Sequence, residues 1–218
     1  MSTYAVSELV KEVKVLLDRN QETSGLLTPT DTDTLSQGEL IQSKIVDAAR
    51  IILKDAPASM LDGKNFEGLK TAWAESNGAY VGTVYLPSDM IRLLNVKASD
   101  WNRSAEIITE EDDAYKIQCN RFGVRGNPER PIAALIHNSG NRYLELFTSK
   151  SNTATVSLTY VGMPSISEGN IDLPETLKDS IVYMAGYLTC ISLGDTDTAS
   201  GLLGVARKLA HIVEPTTS

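Results

Sequence analysis

The spacing of apolar residues changes twice along the chain, and this change limits the fold more than any other feature. Near both ends, apolar residues recur at the intervals that place them on one face of a helix. Between them, short β-branched and aromatic runs are divided by Gly, Asn, Ser and Pro, a pattern typical of an antiparallel sheet. Helices followed by strands and again by helices predict an α+β fold, because α/β folds alternate the two elements.

Two helices are predicted at the N-terminal end. Apolar periodicity places the first helix over 5–19. Ser36 and Glu39 have the S-x-x-E spacing of a capping box, which predicts a second helix over 37–54. The segment between the helices is rich in Gly, Pro, Thr and Asp and is predicted to be a long surface loop. Its candidate contact residues are Leu26, Leu27, Pro29, Asp31 and Asp33.

The middle of the chain predicts a central antiparallel β-sheet interrupted by a short helix. A hairpin turn is expected at 137–141, with Gly140 available for positive φ. Thr109 and Asp112 are predicted to open the short helix. A C-terminal helical pair is expected over 175–212, divided at Gly194. We therefore expect one domain over 1–218, helical over 1–60 and 172–213 and β-rich over 64–163, because 42% hydrophobic content supports a sizeable core.

Charge and hydropathy limit the classes of partner. The chain has 28 acidic and 20 basic residues, a formal net charge of −8, which disfavours broad adhesion to nucleic-acid phosphates. An acidic passage would instead repel the DNA backbone and let it slide. No apolar run approaches the ~20 residues that span a bilayer, and the N-terminal stretch becomes charged before a signal peptide could form. The sequence therefore predicts no membrane association and no secretion.

Few residues suggest catalysis, a cofactor or a metal. His137 and His211 are the two histidines, and each is expected to have a structural role at the end of an element. The two D-T-D-T segments lack the glycine and distal glutamate of an EF-hand loop. Cys119 and Cys190 have no metal-ligand spacing and are predicted to be buried free thiols. We expect no catalytic, cofactor-binding or metal-binding residue.

The segment after Pro87 offers a structural and a catalytic interpretation. Ser88 and Asp89 can cap a single helical turn through Met90 and Ile91, and Trp101 can seal the edge of a core. The alternative is a small hydrolase that uses Asp89 or a nearby carboxylate cluster. That cluster consists of Glu110, Glu111, Asp112 and Asp113. A solvated helix N-terminus explains the cluster more simply.

Three phrases in this order resemble the head-to-tail adaptor, or gatekeeper, proteins of short-tailed bacteriophages. They are VYLPSDMIRLLNVKASDW at 84–101, TATVSLTYVGMPSI at 153–166 and DLPETLKDSIVYMAGYLTCISLG at 172–194, which follow an N-terminal helical pair. The resemblance is greatest to the tail tubular protein A branch and to the ring proteins of crAss-like phages. It covers most of the chain and rests on architecture and on these phrases.

The resemblance implies a structural virion protein without catalytic residues. Such proteins form a homo-oligomeric ring of about twelve copies. The ring lies below the portal, contacts the portal protein and adjacent tail or ring proteins, provides a docking platform for the tail, and lets DNA pass during ejection without specific recognition. The subunits would assemble in the cytoplasm of the bacterial host.

The resemblance also implies that helices pack between subunits. The candidate interface residues are Leu9, Val13, Leu16, Leu202, Leu203 and Leu209. Besides the hydrolase, a transient phage assembly factor remains an alternative function. Oligomeric size would separate these classes, because a connector subunit enters large rings alone or with its portal.

Overall fold

The computed structural model describes residues 1–17, 36–69, 71–120, 124–138 and 140–213. The fold is α+β, as predicted, with five α-helices and eleven strands in the described residues. In chain order these elements are β1 (Ser2–Ala5), α1 (Val6–Leu16), α2 (Gln37–Asp55), β2 (Lys64–Leu69), β3 (Ala72–Ser76), β4 (Ala79–Tyr85), β5 (Met90–Ala98), β6 (Glu106–Thr109), α3 (Asp113–Cys119), β7 (Ile132–Asn138), β8 (Asn141–Ser149), β9 (Val156–Gly162), β10 (Ile166–Ser167), β11 (Asn170–Leu173), α4 (Lys178–Leu193) and α5 (Thr196–Leu209).

The chain divides into two compact units, where the sequence predicted a single domain. The helical unit consists of Met1–Asp62 and Met163–Ser218, and the β unit is the continuous segment Gly63–Gly162. Each unit has its own cluster of buried apolar side chains. The chain therefore enters the β unit once and leaves it once.

In the helical unit, α4 is the central helix and packs against α1, α2 and α5. Gly186 lets neighbours approach closely, since a Cβ there would lie 3.1 Å from a Leu16 methyl and 3.4 Å from a Leu202 methyl. Gly194, at φ 80°, ends α4 in the left-handed conformation that glycine adopts readily. A small antiparallel sheet with strand order β1-β11-β10 completes the unit.

The second predicted helix is confirmed together with its cap. The Glu39 amide donates to Ser36 Oγ at 3.3 Å, and the Ser36 amide donates to Glu39 Oε2 at 2.7 Å. These two bonds satisfy amides that have no partner inside the helix. The observed α2 ends at Asp55, one residue beyond the predicted end.

The β unit is a sandwich of two sheets, with strand orders β2-β9-β5 and β3-β4-β8-β7-β6. Both sheets contribute side chains to one core, because inward and outward residues alternate along each strand. Leu144 and Leu146 of β8 face this core, while Tyr143 and Glu145 alternate with them. The core residues are Val84, Val96, Ala98, Trp101, Ala133, Leu144, Leu146, Val156 and Leu158.

Two features of the sheets differ from the sequence prediction. β6 pairs with β7 in parallel, whereas an antiparallel sheet was expected throughout. The chain passes through α3 between these two strands, and such a crossover permits parallel pairing. β3 was not predicted, although Asn77 and Gly78, at φ 57° and 77°, form the two-residue turn that joins it to β4.

The predicted helical turn after Pro87 is wrong. β5 begins at Met90, and the Met90 amide donates to the Pro87 carbonyl at 3.2 Å. Asp89 caps no helix; Lys64 Nζ donates to its Oδ2 at 3.1 Å and the Tyr160 hydroxyl to its Oδ1 at 3.2 Å. Strand pairing of β5 with β9 extends the backbone and thereby overrides the local capping preference.

The predicted start of the short helix is confirmed, because Asp112 occupies the N-cap position of α3. Its Oδ2 accepts from the Thr109 amide at 2.7 Å and from the Thr109 hydroxyl at 3.0 Å, and not from an amide of the helix. The prediction for one of the two cysteines is wrong. Cys119 is exposed, whereas Cys190 is buried as expected. Trp101 is buried, and its Nε1 donates to the Thr148 carbonyl at 3.0 Å.

Candidate subunit interface

The six leucine and valine residues predicted to contact a neighbouring subunit have different environments within the helical unit. Leu9 and Val13 are fully buried in the unit itself, and Leu16 packs with Leu202 in the cluster around Cys190. Leu203 is half-buried, and Leu209 is 39% exposed. Apolar periodicity finds the face that a helix buries, but it does not distinguish burial within the subunit from burial between subunits.

The candidate loop contacts lie outside the described residues. These are Leu26, Leu27, Pro29, Asp31 and Asp33. The contact role of this loop therefore stays a prediction.

α5 has one buried and one exposed face. Ala199, Leu202 and Ala206 point into the helical unit, at the spacing of one helix stripe. We define the outer face of α5 by five exposed residues that lie together away from this buried stripe. These are Gly201, Gly204, Val205, Lys208 and Leu209.

Within the described residues, no packing contact requires glycine at the two glycine positions on the outer face of α5. A Cβ built at Gly201 or Gly204 meets no atom within 4 Å. Glycine in the interior of a helix is destabilising by about 1 kcal/mol relative to alanine. Their small size does, however, permit the backbone of another helix to come close, because interaxial distance depends on the side chains at the contact.

Apolar side chains adjoin these glycines. Val205 and Leu209 are each 39% exposed and lie one helical turn apart, so they form a continuous apolar strip. Charge marks the two ends of the helix: Asp197 lies in the first turn and Lys208 in the last. The face thus offers small and apolar groups between opposite charges.

An ion pair joins α1 to α4. Lys178 Nζ lies 2.5 Å from Glu12 Oε1 and 5.8 Å from the centre of the Tyr4 ring. The hydrogen bond to Glu12 raises the pKa of Lys178, because it favours the charged ammonium. The ion pair therefore links α1 to α4, the helix against which α5 packs.

The carboxylates considered for a hydrolase are not arranged as a catalytic pair. Hydrogen bonds from Thr109 lower the pKa of Asp112, whereas a general acid at neutral pH needs a raised pKa. Asp113 is exposed and pairs with Lys116 at 2.7 Å. Asp89 holds Lys64 and Tyr160. Within the described ranges, no group of three or more His, Cys, Asp and Glu side chains is placed to bind a metal.

The sequence contains one signal for the outer face of α5. Gly201 and Gly204 interrupt an otherwise helical pattern, and glycine inside a helix often has a packing or functional reason. Their exposure, however, depends on which side of α5 meets α4, and this requires the tertiary structure. Local sequence does not supply it.

Comparisons with known proteins do not identify a family. No protein-family model and no curated protein sequence matches the chain. Among the helices that the structure describes, none is long and apolar enough to cross a membrane.

Proposed function

We propose that this protein is a structural virion protein that forms an oligomeric ring in the head-to-tail connector of a bacteriophage. The ring lies below the portal, gives DNA a passage and provides a docking platform for the tail. The resemblance described above suggests this role, and the outer face of α5 is the structural observation that supports it most directly.

A closed ring needs one contact that is repeated around an axis, with two different surfaces of the subunit meeting at each repeat. The outer face of α5 has the properties of one such surface. Gly201 and Gly204 permit close approach of a neighbouring element, and Val205 with Leu209 supplies apolar area that would leave water on assembly. The surface is displayed on a helix that the central α4 holds in place.

The electrostatic properties agree with a passage for DNA. A net charge of −8 disfavours adhesion to phosphates, and DNA can move past a surface that does not hold it. The carboxylate environments support a structural role over hydrolysis, because Asp89 and Asp112 are each held by hydrogen bonds to neighbouring side chains.

The test is the size of the assembly formed by the full chain, alone and with the portal protein of the same phage. Sedimentation velocity and negative-stain electron microscopy should show closed rings in at least one of these mixtures. The double variant Val205→Asp, Leu209→Asp should remain a smaller species, because buried carboxylates would oppose the contact. Circular dichroism checks that the variant keeps its helices.

Val124→Asp is the matched control, because Val124 is 86% exposed and lies in the β unit. It should form rings like the parent chain. A parent chain that forms no ring and does not bind the portal would contradict the proposal. A chain that binds the portal but is missing from finished particles would instead be a transient assembly factor.

A further inference from the structure

The outer face of the five-stranded sheet contains an open depression in the β unit. Its volume is about 400 Å³, within the range of about 300–1,000 Å³ that ligand clefts occupy. The lining residues come from β4, β7 and β8 and are Thr83, Tyr85, Asn138, Asn141, Tyr143 and Glu145. α3 packs over the adjoining part of the same face through Ala114 and Tyr115. The depression is the part of this face that α3 leaves open.

Two tyrosines give the depression an aromatic corner. Tyr85 and Tyr143 lie directly opposite each other on β4 and β8. Their ring centres are 6.2 Å apart and the rings are tilted by 58°, while Tyr85 is 70% exposed. An exposed aromatic ring offers a flat apolar surface with a hydroxyl at its edge, which suits a ligand that is itself partly apolar and partly polar.

The polar groups of the depression are arranged in cross-strand pairs. Thr83 lies opposite Glu145, and Asn138 lies opposite Asn141. The Tyr115 hydroxyl of α3 donates to Glu145 Oε2 at 2.9 Å, so the carboxylate is oriented from outside the depression. This bond leaves the second carboxylate oxygen, Oε1, uninvolved. The lining therefore presents an oriented carboxylate beside two amides and a hydroxyl.

The hydrogen-bonding groups and the charge of the lining limit the kind of ligand that the depression can bind. The amides and the Thr83 hydroxyl both donate and accept hydrogen bonds, and the carboxylate accepts, which matches hydroxyl groups that do both. The lining residues include one carboxylate and no lysine or arginine, so charge disfavours phosphates and other anions. A wholly apolar ligand would cover Asn141 and Thr83 without offering either a hydrogen bond. A neutral ring with an apolar face and a rim of hydroxyls satisfies all three conditions.

We infer that this depression binds a neutral oligosaccharide of hexose or N-acetylhexosamine units. One sugar ring stacks on Tyr85 against the edge of Tyr143, and its hydroxyls hydrogen-bond to Glu145, Asn141 and Thr83. The inference rests on the β unit alone and does not depend on ring assembly by α5.

Saturation-transfer difference NMR on the full chain tests the inference, because this method tolerates large assemblies. The probes are maltotriose, cellotriose, mannotriose and the trimer of N-acetylglucosamine. At least one probe should give a transfer signal that saturates with concentration. Tyr85→Ala and Asn141→Leu should each weaken the affinity at least tenfold, since each removes a stacking or hydrogen-bonding group.

Phe66→Ala is the matched control, because Phe66 is an aromatic residue that is 45% exposed on β2, in the other sheet. It should leave the affinity unchanged. Circular dichroism of each variant checks that the fold is retained. The inference is overturned if no probe gives saturable transfer, or if folded Tyr85→Ala and Asn141→Leu bind as the parent chain does. It is also overturned if Tyr85→Ala changes the sedimentation of the chain, because the face would then be a protein contact.

Discussion

Asp89 lies between β4 and β5, and each of its carboxylate oxygens has a partner on another strand. Lys64 of β2 donates to one oxygen and Tyr160 of β9 to the other. Sequence reasoning located this corner correctly from Pro87 but gave Asp89 a capping role, because both partners are distant in sequence. Local preference indicates where the chain turns, whereas the role of a side chain there depends on contacts that only the fold brings together.

Substitutions of Asp89 separate the contribution of its hydrogen bond from Tyr160 from that of its ion pair with Lys64. Asp89→Ala should lower the free energy of unfolding by about 1 kcal/mol, because the buried Tyr160 hydroxyl loses its acceptor. Asp89→Asn should cost less, since an amide oxygen still accepts from Tyr160 and an exposed ion pair contributes only about 0.2–1 kcal/mol. Urea unfolding measures both values. Adding Tyr160→Phe to Asp89→Ala should lower the free energy of unfolding little further, because the acceptor of the hydroxyl is already gone. If Asp89→Asn and Asp89→Ala are equally destabilising, the ion pair with Lys64 contributes more than the hydrogen bond from Tyr160.

Position 82 requires glycine because the ring of Trp73 packs directly against its backbone. A Cβ at Gly82 would lie 2.6 and 2.8 Å from two ring atoms of Trp73, its cross-strand partner. Trp73 Nε1 donates to the Ala154 carbonyl at 2.9 Å, so the ring does not move away without losing this bond. Gly82→Ala should therefore lower the free energy of unfolding by about 1–3 kcal/mol. Urea unfolding checks this, and an unchanged midpoint would mean that the ring shifts freely.

Among the elements, α2 was predicted well and the strands less well. The capping box and apolar periodicity of α2 are local signals, and they located both ends within one residue. The Asn77-Gly78 turn is an equally local signal for the hairpin of β3 and β4. The parallel pairing of β6 with β7 and the exposure of α5 arise from packing between distant segments, so no window of sequence contains them.

Removing the cap of α2 should be destabilising at neutral pH and less so in acid. Ser36→Ala should lower the free energy of unfolding by about 1 kcal/mol, because the backbone amide of Glu39 loses its acceptor. Hydrogen bonds from Ser36 lower the pKa of Glu39 from 4.5. The stability that Glu39 contributes is therefore present above pH 4.5 and lost as pH falls through its folded-state pKa. Urea unfolding at pH 7 and pH 3 should show a smaller effect of Ser36→Ala at pH 3.

Ser43→Ala is the control for that experiment. Ser43 lies in the same helix, is exposed and donates to the Leu40 carbonyl at 2.7 Å without capping an end. Its replacement should change the free energy of unfolding little at either pH, because alanine is the best helix former. Equal losses for Ser36→Ala and Ser43→Ala would contradict the assignment of the cap.

The glycines of α5 should have opposite effects on the subunit and on the assembly. Gly201→Ala and Gly204→Ala should each raise the unfolding free energy of the isolated subunit by about 0.5–1 kcal/mol, since a Cβ meets nothing there. The double variant should nevertheless form fewer rings if a neighbouring helix approaches these positions. Thermal unfolding and sedimentation velocity measure the two effects. Stabilisation without any change in assembly would place the subunit contact elsewhere.

At the scale of the whole molecule, the β unit begins and ends on paired strands. Lys64 of β2 lies opposite Tyr160 of β9, and a Cβ at Gly63 would lie 2.4 Å from a Thr159 methyl. The two ends of the segment 63–162 are thus close together. The sequence predicted nearly the same β-rich segment, because composition changes at both boundaries, but it did not reveal a separate core.

The segment 63–162 should fold when it is expressed alone. Its core is built from its own residues, and its ends already meet, so excision breaks no strand pairing within it. We expect dispersed amide signals by NMR and cooperative unfolding in urea. Val96→Asp, which places a charge in that core, should abolish both. A fragment without dispersed signals would show that the β unit requires the helical unit for folding.

The meeting of β2 and β9 at the ends of the β unit has an evolutionary consequence. A segment whose ends are adjacent behaves as a module, since it can be exchanged, lengthened or lost at the cost of one short connection between the halves of its host. The sheet surface around Tyr85 belongs to this module, whereas α4 and α5 belong to the helical unit. Selection on the proposed ligand site and selection on the proposed subunit contact would therefore act on different units of one gene product.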